Sequence, residues 1–417
     1  MTATLDPSAA SVLAGRLFDL DPEMIKDPYA VYRSMREQEP VLRVRSVVAV
    51  SRYEDIRNVL RDPVTFSSRR AGGSRVQERR AALSGRDRER YDYLIDRDKV
   101  MIGQVDPPDH TRLRRFVNTA FSAASISAMR AEVELLAQEL LNEIDARGSD
   151  VFDFSEFTYR LPFIVMCRFL GVPDVAIDTF RGWADDVRSG LGTNYEDIDA
   201  AYTATVEIQR FVADLIADHR ARRAAEPTDL IGRLVARQDD GAGLTDAELD
   251  TMFTVMLTTG NTNDMIANAV IALDEYPAQR QPLLDDPGLI RHAVEEFFRY
   301  CPVVHGVHRV ATADSDIAGF EVRAGETVRL LVASGNHDPD RFADPDRLDV
   351  TRADARQHLD FGYGIHTCLG QWLSRLEIEV ALQTLLHRHP GLRVAEPFDY
   401  RANYNFHGPQ RLLVRTG

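Results

Sequence analysis

Cysteine is scarce: only Cys167, Cys301 and Cys368 occur in 417 residues. So few thiols, so far apart, make no disulfide framework and fit a reducing, cytoplasmic setting. Long apolar runs are missing as well. No stretch approaches the roughly 20 residues of a membrane span, and Met1 to Leu17 lacks a basic region followed by an apolar core. Neither a membrane segment nor a signal peptide is therefore expected. Positive charge is outweighed, with 50 Lys and Arg against 65 Asp and Glu and a formal net charge of −15. That balance argues against nucleic acid and anionic membrane surfaces as partners. Internal repeats and long low-complexity segments are absent from the sequence too. What remains, 44% hydrophobic and 28% charged residues, is the composition of a globular protein with a large core.

The most informative stretch is Phe361-Gly362-Tyr363-Gly364-Ile365-His366-Thr367-Cys368-Leu369-Gly370. Glycines at 362 and 364 accept backbone angles that a side chain forbids, so the loop can curl under a flat ligand. After Cys368 the residues Leu369, Leu373, Leu376 and Val380 recur at helical spacing. Cys368 is thereby expected at a helix N-terminus, where unpaired N–H groups and the macrodipole favour a thiolate, the form that binds metal. Phe361 would shield the sulfur from water. A buried structural cysteine is the plainer reading of a lone thiol. The glycines, the Phe and the His together weigh against it.

Taken in order, residues 1–20 read as a loosely held arm ahead of one functional domain, 21–417. The β-branched runs 41–44 and 46–50 read as an antiparallel hairpin. The Arg-rich stretch 69–98 has weak periodicity and reads as a solvated face; the alternative, a mobile loop, rests on the family resemblance given below. Within 106–115, Asp106 or Asp109 can start a helix on which His110 and Arg114, four apart, share a face. That pair could hold a carboxylate ligand or simply belong to a solvated basic helix. Apolar helical patterns cover 124–147 and 154–170, stopping at Gly171-Val172-Pro173. Residues 174–224 read as two helices joined near 190–195, with Trp183 and Phe211 in the core. A short helix over 229–236 precedes a loop at 239–243. Thr245-Asp246-Ala247-Glu248 reads as a capping box and Leu244 with Leu249 as a hydrophobic staple. They open a helix expected to reach Pro277, about 31 residues or 47 Å long. Its centre, Leu257 to Asp264, is polar inside an apolar run. On the next helix Glu296 and Arg299 share a face as a charged pair. Residues 319–328, with alternating Phe320, Val322 and Thr327, read as a small hairpin.

The cysteine loop resembles the haem-ligand loop of the cytochrome P450 family. Asp106-Pro107-Pro108-Asp109-His110-Thr111-Arg112-Leu113-Arg114 is similar to that family's haem-propionate helix, and residues 296–352 follow its order of motifs. The resemblance runs from about residue 20 to the end and is poor only in the centre of the long helix. It implies a mainly α fold with small β-sheets, a single haem-thiolate domain built around that helix. It gives haem b an axial thiolate from Cys368, which favours O–O cleavage. Phe361 and Gly370 would flank the ligand, while His110, Arg114, Arg309 and His366 would contact the cofactor at its propionates. Glu296 and Arg299 take a folding role. O2 would be activated with electrons that originate in NAD(P)H and arrive through a ferredoxin and ferredoxin reductase, no reductase domain being attached. Arg112, Arg115 and Arg375 are the expected docking patch. Leu257, Thr258, Val303, Val304, His305 and Phe406 occupy the family's substrate positions. They suit an apolar or aromatic small molecule of secondary metabolism, with His305 as one polar contact.

The sequence departs from the family in the long helix. Counted without gaps from Pro277 or Glu296, Gly260 falls where the family has an acid and Asn261 where it has a threonine. These two and Thr262 are the residues expected to handle oxygen. Placing Gly260 on the family's own glycine would put Thr262 and Asn263 at acid and alcohol. That needs a two-residue shift, a rotation of roughly 200°, which turns the downstream apolar face outward. Asn261 can hydrogen-bond a water but cannot act as an acid. Substrate- or water-assisted oxidation is the preferred expectation, with radical coupling of aromatic substrates as the alternative. A haem sensor without turnover is a further reading. A non-haem enzyme using Cys368 and His366 is disfavoured by their spacing of two.

Overall fold

The computed structural model describes residues 8–172, 180–187, 195, 197–222, 229–239, 244–258 and 260–417. Outside them lie residues 1–7 of the expected arm, Pro173, residues 190–194 of the expected junction, 240–243 of the expected loop, and Thr259. Helices predominate, with three small sheets among the described residues. The chain divides into two compact units. The first comprises Met1–Glu78, Ile271–Cys368 and Pro397–Arg411; the second comprises Arg79–Val270, Leu369–Glu396 and Leu412–Gly417.

In the first unit, with strands numbered along the chain, β1 (Val41–Val44) and β2 (Val47–Val50) form the expected antiparallel hairpin. Arg45 turns between them at φ 54°. β8 (Thr327–Leu330) runs parallel to β2 and antiparallel to β5 (Val307–Ala311), and β3 (Phe66–Ser67) closes the order β1-β2-β8-β5-β3. Side chains alternate along a strand. Val48, Val50, Val328 and Leu330 thus enter one core with Ile56 and Phe342, while Ala49 and Arg329, paired in register, take the opposite face. On the side of Ala49 pack Ala10, Ala14 and Leu17 from the helix Ala9–Phe18. Over those residues the chain is a packed helix and not a loose arm. The small hairpin is β6 (Ser315–Ile317) with β7 (Phe320–Val322), not 319–328. Ala318 and Gly319 take the positive φ of its turn, and Thr327 belongs to the larger sheet.

On the helix Ile290–Tyr300, Arg299 donates to both oxygens of Glu296, each at 2.7 Å, with neither side chain exposed. The same guanidinium donates to the carbonyls of Asn336, Pro345 and Arg347. Arg352 Nε and the Asp349 N–H reach Glu296 Oε1. A buried pair satisfied on every side in this way fixes the 336–352 segment to the helix.

The second unit is helical around Leu113, Phe163, Leu170, Ile208, Leu234, Leu249 and Phe253, with Trp183 and Phe211 packed against that core. β4 (Val151–Asp153), β10 (Leu413–Arg415) and β9 (Arg393–Val394) form its sheet. Much of the Arg-rich stretch is helical, Ser74–Ala81 and Gly85–Asp98. Tyr91, Leu94 and Ile95 supply a narrow apolar stripe that the surrounding charges hid. The expected 31-residue helix is present as two, Asp246–Thr258 and Thr262–Glu275. The hydroxyls of Thr251, Thr254 and Thr258 each bond the carbonyl four residues back, a contact that bends helices. The backbone carbonyl of Asn261 then accepts the Met265 N–H at 3.1 Å, the bond that restarts the helix.

Candidate active site

In the first unit the loop 361–368 is closed by its own backbone. The Cys368 N–H donates to Phe361 O at 2.8 Å, Gly362 N–H to Leu359 O at 2.8 Å, and Thr367 N–H to Gly364 O at 3.1 Å. Gly362 and Gly364 stand at φ 69° and 76°. A Cβ on Gly364 would lie 2.8 Å from the Leu60 carbonyl oxygen, so both the angle and the space require glycine there. Cys368 is exposed whereas Cys167 is buried. The following helix starts at Gln371 with Gly370 as its cap, so Cys368 sits two residues ahead of the cap rather than in the first turn. The sequence placed the helix start too early because Leu369 continues its apolar spacing. Phe361 packs on Phe298, ring centroids 4.5 Å apart.

Around that loop the first unit also carries His366, in the 3-10 turn Gly364–His366, and Arg309, buried on β5 with its NH1 on the His308 carbonyl. Four sequence-predicted substrate positions come together here. Val304 bridges Phe406, the His407 N–H donates to Val303 O, and the His305 N–H to Asn405 O. His305 is largely committed to packing: its Nδ1 is 2.9 Å from Tyr32 Oη and its ring stacks on His407. Burial, then the neighbouring His407, hold it neutral, well below the usual histidine range.

The second unit holds the rest. His110 is buried and Arg114 half-buried on the helix Asp109–Val117. Of the expected docking arginines, Arg112 is engaged by Glu248 (NH1 to Oε2, 3.2 Å), Arg375 by Gln371 and the Trp372 ring, and Arg115 is exposed. Both bonds of the capping box are present, Thr245 N–H to Glu248 Oε2 at 2.8 Å and Glu248 N–H to Thr245 Oγ1 at 3.2 Å. Leu257 and Thr258 are buried, the Thr258 hydroxyl bonded to Thr254 O.

At the helix break Gly260 is exposed, and the buried Asn261 Oδ1 has no hydrogen-bond partner among the described residues. At the next residue, Thr262 Oγ1 donates to Ser374 Oγ at 3.1 Å. Beside them lies a residue the sequence reading missed. Glu377 is buried on the helix Gln371–Arg388, its Oε1 also without a partner among the described residues. Burial pushes its carboxyl up to about 8, against the opposing hydrogen bond with Thr262. The signal was legible: Glu377 follows Leu373 by four residues on the apolar face.

The family model described as "Cytochrome P450" matches residues 282–390. Cytochrome P450 107B1 of Saccharopolyspora erythraea is 34% identical over 413 residues, 96% of this chain and 98% of that protein. The mycinamicin IV hydroxylase/epoxidase of Micromonospora griseorubida is 36% identical over 376 residues, 88% of this chain and 89% of that protein. Among solved structures, ligand-free CYP164A2 of Mycobacterium smegmatis superposes with a TM-score of 0.85 at 31% identity, covering 97% of this chain and 100% of that one.

Proposed function

The chain belongs to the cytochrome P450 family, and from that premise we propose a monooxygenase acting on an apolar or aromatic small molecule, fed with electrons from NAD(P)H by a separate ferredoxin and its reductase. Membership makes it an oxidoreductase of the monooxygenase class, allied with secondary metabolism, and implies haem on a cysteine thiolate. In this reading Cys368 is that thiolate. The observation that supports it is an exposed thiol in a loop whose Gly364 has neither the backbone angle nor the space for a side chain. The donor set fits the cofactor: a thiol for iron, and His110, Arg114, Arg309 and His366 as charge-assisted donors to two carboxylates. Bound there, haem supplies the activation of O2.

The protein's own residues add a place for the substrate and a source of protons. Val303, Val304 and Phe406 in the first unit, and separately Leu257 and Thr258 in the second, are the residues proposed by family position to meet it. At neutral pH Glu377 carries a proton on its buried carboxyl, and the hydroxyls of Thr262 and Ser374 are the groups able to pass it on. Asn261 Oδ1 can orient a water. Glu377 thus does the work of the acid missing at residue 260. The Gly260-Asn261 pair itself favours a second reading, oxidative coupling of aromatic substrates without oxygen insertion.

The deciding experiment is the spectrum of the reduced protein under carbon monoxide. A red-shifted band of the thiolate type, abolished in Cys368→Ser, is expected. An imidazole-type band in intact protein would refute Cys368 as the ligand.

A further inference from the structure

The first unit buries a cation without a counter-charge. Arg329 on β8 is fully buried; its NH2 donates to the Tyr404 carbonyl at 3.0 Å and its NH1 lies 3.0 Å from His308 Nε2. Both partners are neutral. Its guanidinium lies 4.7 Å from the Tyr404 ring centroid, and Arg75 covers the same ring at 4.9 Å. Among the described residues no carboxylate acts on Arg329. Burial and the nearby Arg75 push it down to about 9. The same field, from Arg329, Arg75, Arg70 and Arg309, adds to burial in holding His308 neutral, well below its usual range.

Three polar atoms of this neighbourhood are buried without partners among the described residues: Arg329 Nε, Tyr404 Oη and His305 Nε2. Gly306 makes the arrangement possible, since a Cβ there would stand 2.7 Å from the Arg329 guanidinium. A side chain needed only to pin the 404 segment to the sheet could be neutral. A buried cation left unpaired is strongly destabilising, and adding a second cation at its edge makes it worse. Both features make sense when an anion arrives.

We propose that Arg329, with Tyr404, His305 and Arg75, forms a carboxylate-recognition site, and that the substrate is an organic acid whose apolar or aromatic body lies against Val303, Val304 and Phe406. This rests on the monooxygenase reading above for the chemistry done on that acid, but the binding claim stands separately. Arg recognises a carboxylate as a planar fork and keeps its charge at neutral pH even in this site. Arg75, over the same Tyr404 ring, is half-buried.

The test pairs acids with their uncharged methyl esters: 6-phenylhexanoate, indole-3-propionate and decanoate, titrated into the haem-loaded protein. Binding is read by the rise in unfolding temperature and, separately, by the shift of the haem absorption band. At least one acid should bind about tenfold or more tightly than its ester. Arg329→Gln should erase that preference while leaving ester binding within about twofold. Should Arg329→Gln not fold, Arg75→Gln is expected to weaken acid binding severalfold and spare the ester. No acid preference in the wild type, whether both forms bind or neither does, overturns the proposal. So does an Arg329→Gln protein that keeps the preference. If a haem propionate were the anion, Arg329→Gln would instead lower haem content and the wild type would show no acid preference. A haem-loaded protein that prefers the acids but oxidises none of them with any electron donor would sink the monooxygenase reading and leave the carboxylate site standing.

Discussion

Glu377 shows how a single residue can change the expected chemistry. In an unfolded chain its carboxyl ionises near 4.5; in the folded protein it holds its proton up to about 8. Between those values the unfolded state binds fewer protons than the folded one. The contribution of this group to stability therefore falls as pH rises through that window and is constant below and above it. Each pKa unit corresponds to about 1.4 kcal/mol, so the effect is on the order of a few kcal/mol. Glu377→Gln keeps the shape without the titration. Relative to wild type it should gain stability from pH 5 to pH 8, measured by urea unfolding at the two values. A pH-independent difference would mean that the carboxyl ionises normally. With a turned-over substrate, the same variant should give less product per NAD(P)H consumed, by roughly tenfold or more.

At the scale of elements, the helices Asp246–Thr258 and Thr262–Glu275 carry two separable predictions. The first concerns the start. Thr245→Ala removes one reciprocal bond of the capping box and should cost about 1 kcal/mol by denaturant unfolding, with spectra unchanged. The second concerns the break. Asn261→Ala removes the unpaired Oδ1 but leaves the backbone carbonyl that caps the second helix. Product formed per NAD(P)H should fall while folding stability changes little. Unchanged coupling and rate would remove Asn261 from oxygen handling. The capping box could be read from four letters because its bonds are local. The break could not: Thr254 and Thr258 look like ordinary helix residues until their hydroxyls are seen bonded to the turn behind them. Hairpin β1–β2, the Glu296–Arg299 pair and the glycines of the cysteine loop were legible for the same local reason. The role of Arg329 was not, since an arginine in a strand says nothing of a face it shares with Ala49, His308 and Tyr404. Nor was the helix Ala9–Phe18 read from sequence: Ala10, Ala14 and Leu17 recur at helical spacing, but other apolar residues such as the exposed Val12 blur that face.

For the whole molecule the governing quantity is charge. At −15 the chain would repel an acidic ferredoxin at long range, so the proposed electron donor needs a local cationic patch for docking. The arginines expected from sequence for that task are partly spent, Arg112 on Glu248 and Arg375 on Gln371 and Trp372. The first unit offers another. Arg61 is exposed at the end of the helix Tyr53–Arg61, whose Leu60 carbonyl meets Gly364 of the cysteine loop. Its NH2 bonds Tyr363 Oη at 3.0 Å, and the guanidinium sits 5.0 Å from that ring, with Arg57 at 5.7 Å. On the proposed function an electron donor approaches the cysteine loop, and these cations stand beside it. Arg61→Glu should therefore raise the KM for a surrogate ferredoxin roughly tenfold at low salt, with kcat at saturating ferredoxin unchanged. The difference should shrink toward none near 1 M salt, where the screening length falls to about 3 Å. Equal KM values at low salt would place the docking surface elsewhere, with the still exposed Arg115 next to be reversed.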